Sequence, residues 1–283
     1  MKLVMTLLVR DEEDILEHNI RFHLNSGVDY IYAIDNGSAD ATTDILKKYS
    51  SLGVLKYRSI QEHSYKQDEW VSSMAKKASE DKADAIIHCD ADEFWYASGS
   101  NLKGSVFREL QDVLYVPVIN YLPPDIHKQL KKNLFENFTY MVANPWPYPS
   151  KFDELVSSDL LLYSYPKKII TNSRFTKIGY GNDTVLSDSK IESSISKTIK
   201  IHHFPIRNYD HFLRKVINGG SAYQNNPIEN PYLGWHWKNW YKIYLSGKLE
   251  DEYIKISREK YISKLVGDYV IKKVEVPTRI AHS

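Results

Sequence analysis

Three carboxylates follow directly after an apolar run in the first third of the chain. Residues 85–89 are typical of a buried strand, and Asp90, Asp92 and Glu93 come immediately after them. Because burying a carboxylate costs free energy unless a cation or a hydrogen-bonding ligand compensates it, this cluster indicates a binding site. Alternate residues of an extended chain point the same way, so Asp90 and Asp92 can face one ligand. Ligands made only of oxygen favour a hard divalent ion, and we therefore predict Mg²⁺ or Mn²⁺ here.

Two adjacent histidines form a second polar group much later in the chain. His202 and His203 stand at the end of a strand-like run and precede the segment Phe204-Pro205-Ile206-Arg207. A neutral imidazole is a good ligand for Mn²⁺ beside a carboxylate. Adjacent strand residues face opposite ways, so only one of the pair is expected to reach the metal, and the spacing leaves open which one. A purely structural role for both is the alternative.

The elements that position these side chains alternate along the first hundred residues. Hydrophobic patterns predict strands over residues 3–9, 30–34, 54–58 and 85–89, separated by helical segments. This rhythm is typical of βαβ units and a mainly parallel sheet flanked by helices. Parallel strands present their carboxyl ends at one edge, where open α/β sheets bind ligands. Asp35 follows the second strand, so we expect it to face the crevice that holds Asp90 and Asp92, although Asn36-Gly37 also fits a plain surface turn.

The later elements are less regular. Residues 113–119 predict one further strand, and Pro123-Pro124 predicts the start of a basic amphipathic helix that runs to about Phe138. A helix after the histidines is expected to close at Gly219-Gly220. We predict two domains, a catalytic domain over residues 1–220 and a helical, aromatic-rich C-terminal extension over residues 221–283 that packs on it. The helical spacing of Trp237, Trp240, Tyr241 and Tyr244 favours a packed core in that extension.

Composition restricts the classes of function. The 37 basic and 36 acidic residues nearly cancel, which argues against a nucleic-acid binder that relies on bulk charge. The single cysteine, Cys89, cannot form an internal disulfide and fits a reducing compartment. No segment resembles a signal peptide or a span of about 20 apolar residues, so a cytoplasmic location is expected. Lysines scattered over residues 238–273 allow weak peripheral contact with anionic lipid at the inner face of the membrane.

Six segments, taken in order, resemble the family 2 type of bacterial glycosyltransferase, which has a GT-A fold and an Asp-x-Asp motif. The resemblance covers residues 1 to about 220, and its most specific element is the string over residues 90–95. The family usually has asparagine where this chain has Asp11. The segments that carry the resemblance are 9–13 with 16–17, 30–38 with Asp40, 67–70, 90–95 and 202–207.

The resemblance implies roles for individual residues. Asp35 is similar to the family aspartate that holds the base of a nucleoside-diphosphate sugar, and Asp90 to the one that contacts its ribose. Arg10 and Gln67 fall where donor-contacting residues are often found. Asp92 resembles the residue that binds the Mn²⁺ or Mg²⁺ bridging the diphosphate. His203, or alternatively His202, resembles the histidine that completes the metal site in many such enzymes.

The acceptor hydroxyl needs a general base in an inverting enzyme, and a carboxylate within hydrogen-bond reach normally supplies it. Asp183 follows a glycine-containing segment over residues 179–182 that could bring it close to the acceptor. Glu93 and Asp188 are the competing candidates. A plain Asn-Asp turn at residues 182–183 is the alternative without function.

The sequence as a whole predicts a metal-dependent glycosyltransferase that moves a sugar from a nucleoside-diphosphate sugar to a glycan or lipid-linked acceptor. We expect inversion at the transferred carbon and a place in surface polysaccharide assembly, such as capsule or lipopolysaccharide. One alternative is a phosphatase of the haloacid-dehalogenase type, in which Thr or Val usually stands where this chain has Phe94. The other is a non-catalytic module that binds nucleotide sugars. The donor, acceptor, linkage and oligomeric state stay open.

Overall fold

A computed structural model describes residues 1–61, 66–99, 101–151, 154–225 and 234–283. Its strands are β1 Leu3–Val9, β2 Tyr30–Asp35, β3 Leu55–Ser59, β4 Ala85–Asp90, β5 Glu93–Ala97, β6 Val113–Val116, β7 Val118–Asn120, β8 Tyr140–Val142, β9 Lys168–Asn172, β10 Ser193–Ile195, β11 Ile199–His203 and β12 Ile271–Lys273. Its α-helices are α1 Leu16–Asn25, α2 Thr42–Ser51, α3 Gln67–Glu80, α4 Leu102–Glu109, α5 Tyr209–Asn225, α6 Trp235–Leu245, α7 Leu249–Ser257, α8 Glu259–Gly267 and α9 Thr278–Ala281.

The central sheet has seven strands in the order β10-β6-β9-β4-β1-β2-β3. Strands β1 to β4 are parallel, whereas β9 runs antiparallel to both of its neighbours. Both faces of the sheet are covered, because Leu3 and Met5 pack into one apolar core with α1, while Val4 packs with α3 into another. Burial on both faces is what a parallel sheet requires. The predicted α/β class, with a mainly parallel sheet flanked by helices, is confirmed.

The register of the parallel strands brings the predicted carboxylates to one edge. Val9 of β1 lies opposite Asp35 of β2, and Leu8 lies opposite Asp90 of β4. The two aspartates therefore end their strands on either side of β1, at the edge where α/β sheets bind ligands.

A second sheet of three strands in the order β5-β11-β7 holds the histidines. The prediction of one strand over residues 113–119 is wrong, because Pro117 divides it into β6 of the central sheet and β7 of the small one. Proline has no N–H to continue a ladder, although its carbonyl still accepts a hydrogen bond from the Ile201 N–H at 2.9 Å. His203 lies opposite both Glu93 and Asn120 in this sheet. These three side chains thus form one row across it.

The predicted helix over residues 123–138 is also wrong. Only a 3₁₀ turn forms, at Leu134–Asn137. The Asn133 carboxamide oxygen accepts the Phe135 N–H at 3.0 Å, and the Asn137 amide donates to the Leu134 carbonyl at 3.0 Å. Asparagine side chains that bond nearby backbone groups compete with the helix ladder, which explains why the amphipathic pattern did not produce one.

The glycine pair of α5 lies where α5 contacts α6, and it does not end α5. The predicted stop at Gly219-Gly220 is wrong, because α5 continues to Asn225. A Cβ placed on Gly219 would lie 2.8 Å from Trp237 Cδ2, and one on Gly220 would overlap Tyr241 Cβ. The two glycines therefore allow α6 to pack closely against α5.

Replacing Gly220 with alanine is expected to destabilise the protein. The added methyl group cannot fit against Tyr241, and overpacking of this kind costs about 1–3 kcal/mol of unfolding free energy. Denaturant unfolding would measure the loss. Gly267 is the matched control, since it ends α8 with no described atom within 4 Å of the place that an added methyl group would occupy, and alanine there should be neutral or stabilising. Equal unfolding midpoints for Gly220→Ala and wild type would contradict close packing here.

The C-terminal segment is helical, as predicted, but one strand returns to the N-terminal part. β12 pairs antiparallel with β8, and the side chains of α6 and α7 share an apolar core with Phe212 and Val216 of α5. The division at residue 220 stays a prediction. In the part of the chain that the structure describes, no helix combines the length and the apolar character needed to cross a bilayer.

Candidate active site

A cavity of about 310 Å³ opens at the carboxyl edge of β1 and β4. The loop after β1 forms one side of it, and helices α5 and α6 form the other. The predicted site residues that line it are Arg10, Gln67, Asp90, Asp92 and His203. Among the described residues, the predicted site positions that do not line it are Asp35, Glu93, Asp183 and His202.

Asp92 lines this cavity, is buried, and pairs with a lysine from α5. The Lys215 ammonium donates to Asp92 Oδ2 at 2.6 Å and lies 3.5 Å from Glu12 Oε1. Burial by itself would raise the pKa of Asp92, but nearby positive charge, with Lys215 contributing most, outweighs it and holds the pKa well below its ordinary value. Asp92 is therefore ionised at neutral pH and offers a full negative charge to the cavity.

His203 faces Asp92 with an unprotonated nitrogen. Asn120 donates its amide to the Leu161 carbonyl at 3.0 Å, so its carboxamide oxygen must accept from His203 Nδ1, at 2.8 Å. Burial lowers the pKa of His203 to about 4, which keeps the ring neutral. The proton therefore sits on Nδ1, and the bare Nε2 lies 3.6 Å from Asp92 Oδ1. Two acceptors that face each other in this way favour a cation between them.

His202 points to the other side of the strand. Its Nδ1 lies 2.9 Å from the Tyr121 hydroxyl, and its ring packs against Tyr96 and Tyr121. Burial lowers the pKa of His202 to about 4. Of the two histidines, the structure thus brings His203 to Asp92, while His202 belongs to an aromatic cluster.

Asp90 is held by two residues that sequence reasoning missed. The Lys168 ammonium donates to Asp90 Oδ2 at 2.8 Å, and the Asn182 amide donates to Asp90 Oδ1 at 3.1 Å. Lys168 opens β9, the strand antiparallel to β4, and lines the cavity itself. No local pattern marks Lys168, since its contact with Asp90 spans 78 residues.

Glu93 lies in the small sheet and is fully buried. Its Oε2 accepts the Asp90 N–H at 3.2 Å, and its Oε1 lies 3.2 Å from the Lys168 ammonium. Burial raises the pKa of Glu93 to about 8, with Asp90 and Asp92 adding to the effect and Lys168 opposing it. These contacts favour a supporting role for Glu93 over the predicted role as general base.

Glutamine in place of Glu93 tests that interpretation. Its carboxamide oxygen can still accept the Asp90 N–H, so Glu93→Gln should retain turnover within about tenfold, whereas loss of a general base costs about 100-fold or more. Glu93→Ala should lower the melting temperature and turnover together, because it opens a hole beneath Asp90. Turnover at about a hundredth of wild type or below in a Glu93→Gln protein that melts normally would restore the catalytic assignment.

The three predicted donor contacts other than Asp90 differ in whether they line the cavity. Arg10 and Gln67 line the cavity, and Gln67 is the first residue of α3. Asp35 is buried behind it, where its carboxylate accepts the Ser38 N–H at 3.0 Å and the Thr43 hydroxyl at 2.7 Å. The structure therefore shows Asp35 holding its own loop together, while the neighbouring Asn36 lines the cavity.

Asp183 follows a 3₁₀ turn at Tyr180–Asn182. Gly181 and Asn182 adopt the left-handed conformation, with φ of 73° and 58°, and this turns the Asn182 amide toward Asp90. Asp183 is half-buried, and burial raises its pKa. Asp188 is exposed on the segment that follows. The assignment of either as general base stays a prediction.

A buried ion network joins the loop after β1 to the segment after β11. Arg207 is fully buried and donates to both oxygens of Asp14 at 2.7 Å, and its second contact is with Glu12. Asp11, which precedes this pair, has a φ of 54° and accepts hydrogen bonds from Ala39 N–H at 2.7 Å and Asn218 at 2.8 Å. The network fixes the loop that lines the cavity.

Lys215 is a further residue of consequence that sequence reasoning missed. It stands between the apolar residues Phe212 and Val216 of α5, both of which are buried. A lysine at the border of a buried helical face is a weak signal of a paired charge. That signal could have drawn attention to it, but nothing local identifies Asp92 as its partner.

Asp92 and His203 can supply two ligands to a divalent ion. No group of three or more His, Cys, Asp or Glu side chains that could hold a metal occurs among the residues the structure describes. Mg²⁺ is often held by one or two carboxylates together with substrate phosphates and water, so two protein ligands fit such an ion. Asn120 provides the outer hydrogen bond that metal-binding histidines usually make.

Of the comparisons with known proteins, only the one with solved structures gave matches. No protein-family model matches the sequence, and no curated protein matches it either. Residues 1–349 of S. aureus TarS share 11% identity over 98% of both chains, with a TM-score of 0.42. HddC from Yersinia pseudotuberculosis shares 12% identity over 76% of this chain and 97% of its own, with a TM-score of 0.38.

A third similar structure is glucosyl-3-phosphoglycerate synthase from Mycobacterium tuberculosis, in complex with Mn²⁺, UDP-glucose and phosphoglyceric acid. It shares 14% identity over 41% of this chain and 44% of its own, with a TM-score of 0.29. TarS 1–349 has also been crystallised with UDP-GlcNAc, at 13% identity over 95% of this chain and 80% of that one, with a TM-score of 0.42. Such distant similarity leaves the function to be argued from the site residues.

Proposed function

We propose that the protein is a metal-dependent glycosyltransferase of the GT-A type that transfers a sugar, with inversion, from a nucleoside-diphosphate sugar to a glycan or lipid-linked acceptor. The observation that carries the proposal is the bare Nε2 of His203 facing the ionised Asp92 at 3.6 Å inside a cavity at the sheet edge. Surface polysaccharide assembly, at the cytoplasmic side of the membrane, is the process that this activity would serve.

The charges of the cavity suit a diphosphate. Arg10, Lys168 and Lys215 line it, and cations placed where negative charge develops on a leaving group stabilise the transition state. Asp92 and His203 would hold Mn²⁺ or Mg²⁺, which when bound supplies further positive charge to the diphosphate as a Lewis acid. Gln67 and Asp90 line the same cavity, and we assign them to contacts with the nucleoside of the donor.

A phosphatase of the haloacid-dehalogenase type has less support. The first aspartate of that motif must attack phosphorus, but Lys168 and Asn182 bond both carboxylate oxygens of Asp90. Phe94 is fully buried in an aromatic cluster and offers no polar group to a phosphate.

A thermal-shift screen of nucleotides and nucleotide sugars, with and without Mn²⁺, tests the proposal. A ligand that binds only the native state at 100 times its Kd stabilises it by about 2.7 kcal/mol, which is readily measured. We expect one nucleoside diphosphate to raise Tm more with Mn²⁺ than without it, and one of its sugar conjugates to be turned over. No Tm increase and no turnover with any nucleotide sugar would overturn the proposal.

Lys215 bonds Asp92 Oδ2, next to the Oδ1 that faces His203, so its positive charge competes with a divalent ion for this carboxylate. Methionine at this position removes the competing ammonium, so we expect Lys215→Met to bind Mn²⁺ about tenfold more tightly without donor. Its Tm without metal should fall, because Asp92 and Glu12 lose a buried partner. Mn²⁺ titration followed by electron paramagnetic resonance measures the first effect. Lys200→Met, at an exposed position of β11, is the control; equal Mn²⁺ affinity in both variants would show that Lys215 does not compete.

A further inference from the structure

Three ring nitrogens at the α5–α6 end of the cavity lack a hydrogen-bond partner among the described residues. They are His211 Nε2, His236 Nδ1 and Trp240 Nε1, and each of these atoms is buried. All three residues line the cavity. His211 and Trp240 are only 1% and 2% exposed, so bulk water does not satisfy them. Buried polar atoms of this kind are rare in native proteins and call for a ligand or an ordered water.

Two of these nitrogens are hydrogen-bond donors. His211 Nδ1 accepts the Arg207 N–H at 3.4 Å, and burial lowers the pKa of His211 well below its ordinary value, so the ring is neutral with its proton on Nε2. The nearest carboxylate oxygen, Glu12 Oε2, is 3.9 Å away, which is too far for a hydrogen bond. The indole N–H of Trp240 is a donor in every state. His236 Nδ1 donates or accepts according to its tautomer.

The α6 rings of this end lie together, because the ring centroids of His236, Trp237 and Trp240 are 4.7, 5.6 and 5.8 Å apart. His211 precedes Lys215 by four residues on α5, and His236 precedes Trp240 by four residues on α6, so each pair shares one helix face. The Trp237 ring, which also lines the cavity, packs against Gly219, four residues after Lys215. His211 and Gly219 therefore lie about one helical turn on either side of Lys215, the residue that contacts Asp92.

The three unpaired ring nitrogens suit a neutral polyol as ligand. A sugar hydroxyl can both donate and accept, so it satisfies two N–H donors and an imidazole nitrogen of either tautomer. The nonpolar C–H face of a pyranose matches the aromatic surface of Trp237, which is partly exposed. The three unpaired atoms all belong to uncharged rings, while the charged residues Arg214 and Lys215 of α5 line the same cavity.

We propose that the α5–α6 end of the cavity binds an uncharged sugar ring of the acceptor, with its hydroxyl groups on His211, His236 and Trp240 and its nonpolar face on Trp237. This inference rests on the proposed glycosyl transfer, because it places the acceptor next to the diphosphate-facing residues. It makes the C-terminal helix α6 part of the substrate site rather than a packing element alone.

Saturation-transfer difference NMR on the full-length protein tests the subsite. The probes are methyl glycosides of glucose, galactose, mannose and N-acetylglucosamine, each with Mn²⁺ and the nucleoside diphosphate that gives the largest thermal shift. We expect at least one glycoside to receive saturation at its ring C–H protons. Trp240→Phe and His236→Phe keep an aromatic ring but remove the polar atoms, and each should weaken glycoside binding about fivefold through one lost hydrogen bond.

Tyr244→Phe is the matched control, because Tyr244 is on α6, packs against Tyr241 and does not line the cavity. It should leave the glycoside signal unchanged. The nucleotide signal, recorded in the same samples, should persist in every variant and reports on folding and on donor binding independently.

The possible outcomes separate the subsite from the proposed function. A nucleotide signal without any glycoside signal, or a glycoside affinity that neither substitution lowers, would overturn the subsite and leave the transferase proposal standing. Absence of a nucleotide signal would overturn the transferase proposal itself. If a non-hydrolysable phosphonate analogue of the nucleotide sugar displaces the glycoside where the diphosphate does not, this end holds the donor sugar and the acceptor assignment is wrong.

Discussion

Asp92→Asn is expected to reduce metal-dependent sugar transfer by at least about 100-fold, since loss of a metal ligand removes the charge that opposes the leaving diphosphate. The substitution keeps the shape of the side chain but replaces the only carboxylate that lies opposite His203 Nε2 among the described residues. It also leaves the Lys215 ammonium with Glu12 as its remaining carboxylate partner. Affinity for Mn²⁺, measured by isothermal titration calorimetry in the absence of donor, should fall in parallel with turnover.

The control for this substitution is Asp268→Asn, which makes the same chemical change at an exposed position that has no proposed role in the site. It should retain full turnover and Mn²⁺ affinity. A folded Asp92→Asn protein that transfers sugar at the wild-type rate would show that the transferase site lies elsewhere. Lost turnover with unchanged Mn²⁺ affinity would place the metal ligands elsewhere while keeping Asp92 in the reaction.

Arg207→Met is expected to have the largest effect on stability, with a loss of about 3–5 kcal/mol of unfolding free energy. Arg207 is fully buried and is the common partner of Glu12 and Asp14. Burial already raises the pKa of Glu12, and Arg207 is the strongest of the charges that oppose this rise. Without the Arg207 guanidinium, the buried Glu12 carboxylate loses the strongest positive charge that stabilises its ionised form.

The pH dependence of the unfolding free energy of Arg207→Met follows from Glu12. In Arg207→Met the folded-state pKa of Glu12 should rise further above its value in the unfolded chain. The folded state then binds the extra proton more readily, so the variant should lose stability as pH rises and recover part of it as pH falls. The difference in unfolding free energy between variant and wild type is therefore expected to shrink toward acid pH.

Two further variants complete the Arg207 experiment. Arg207→Lys keeps the charge but cannot bond both oxygens of Asp14 in a fork, so an intermediate loss is expected. Arg174→Met removes the partner of Asp112 at a site where the arginine side chain is 60% exposed, and surface ion pairs of this kind contribute at most about 1 kcal/mol. If Arg207→Met loses no more unfolding free energy than Arg174→Met, a structural role for the buried network is contradicted.

Local patterns predicted the elements that carry the early carboxylates. Strands β1, β2, β3 and β4 were predicted close to their observed bounds, because buried parallel strands are short apolar runs with turns at both ends. The prediction that Asp35 and Asp90 lie at the same edge of the sheet required only that their strands run parallel. Asp92 and His203 were both predicted for the site, and the structure brings them within 3.6 Å of each other.

The remaining features depend on partners that are distant in sequence. The choice between His202 and His203 required the neighbours on both faces of β11, Tyr121 on one and Asn120 on the other. Lys168 and Lys215 carry no local mark of their pairing with the Asp-x-Asp segment. Gly219-Gly220 fits both a helix end and a close helix contact, and only the position of α6 decides between them.

The ion pairs around the cavity also determine when it can form during synthesis of the chain. Arg207 follows Asp14 and Glu12 by 193 and 195 residues, and Lys215 follows Asp92 by 123. The carboxylates therefore leave the ribosome long before their cations, and β11 must insert between β5 and β7 before α5 can close the cavity. Contacts of such large sequence separation form late and slowly. A nascent chain stopped before α5 contains Arg207 and Lys168 but lacks Lys215, the partner of Asp92, so binding competence should appear only when translation has passed residue 215.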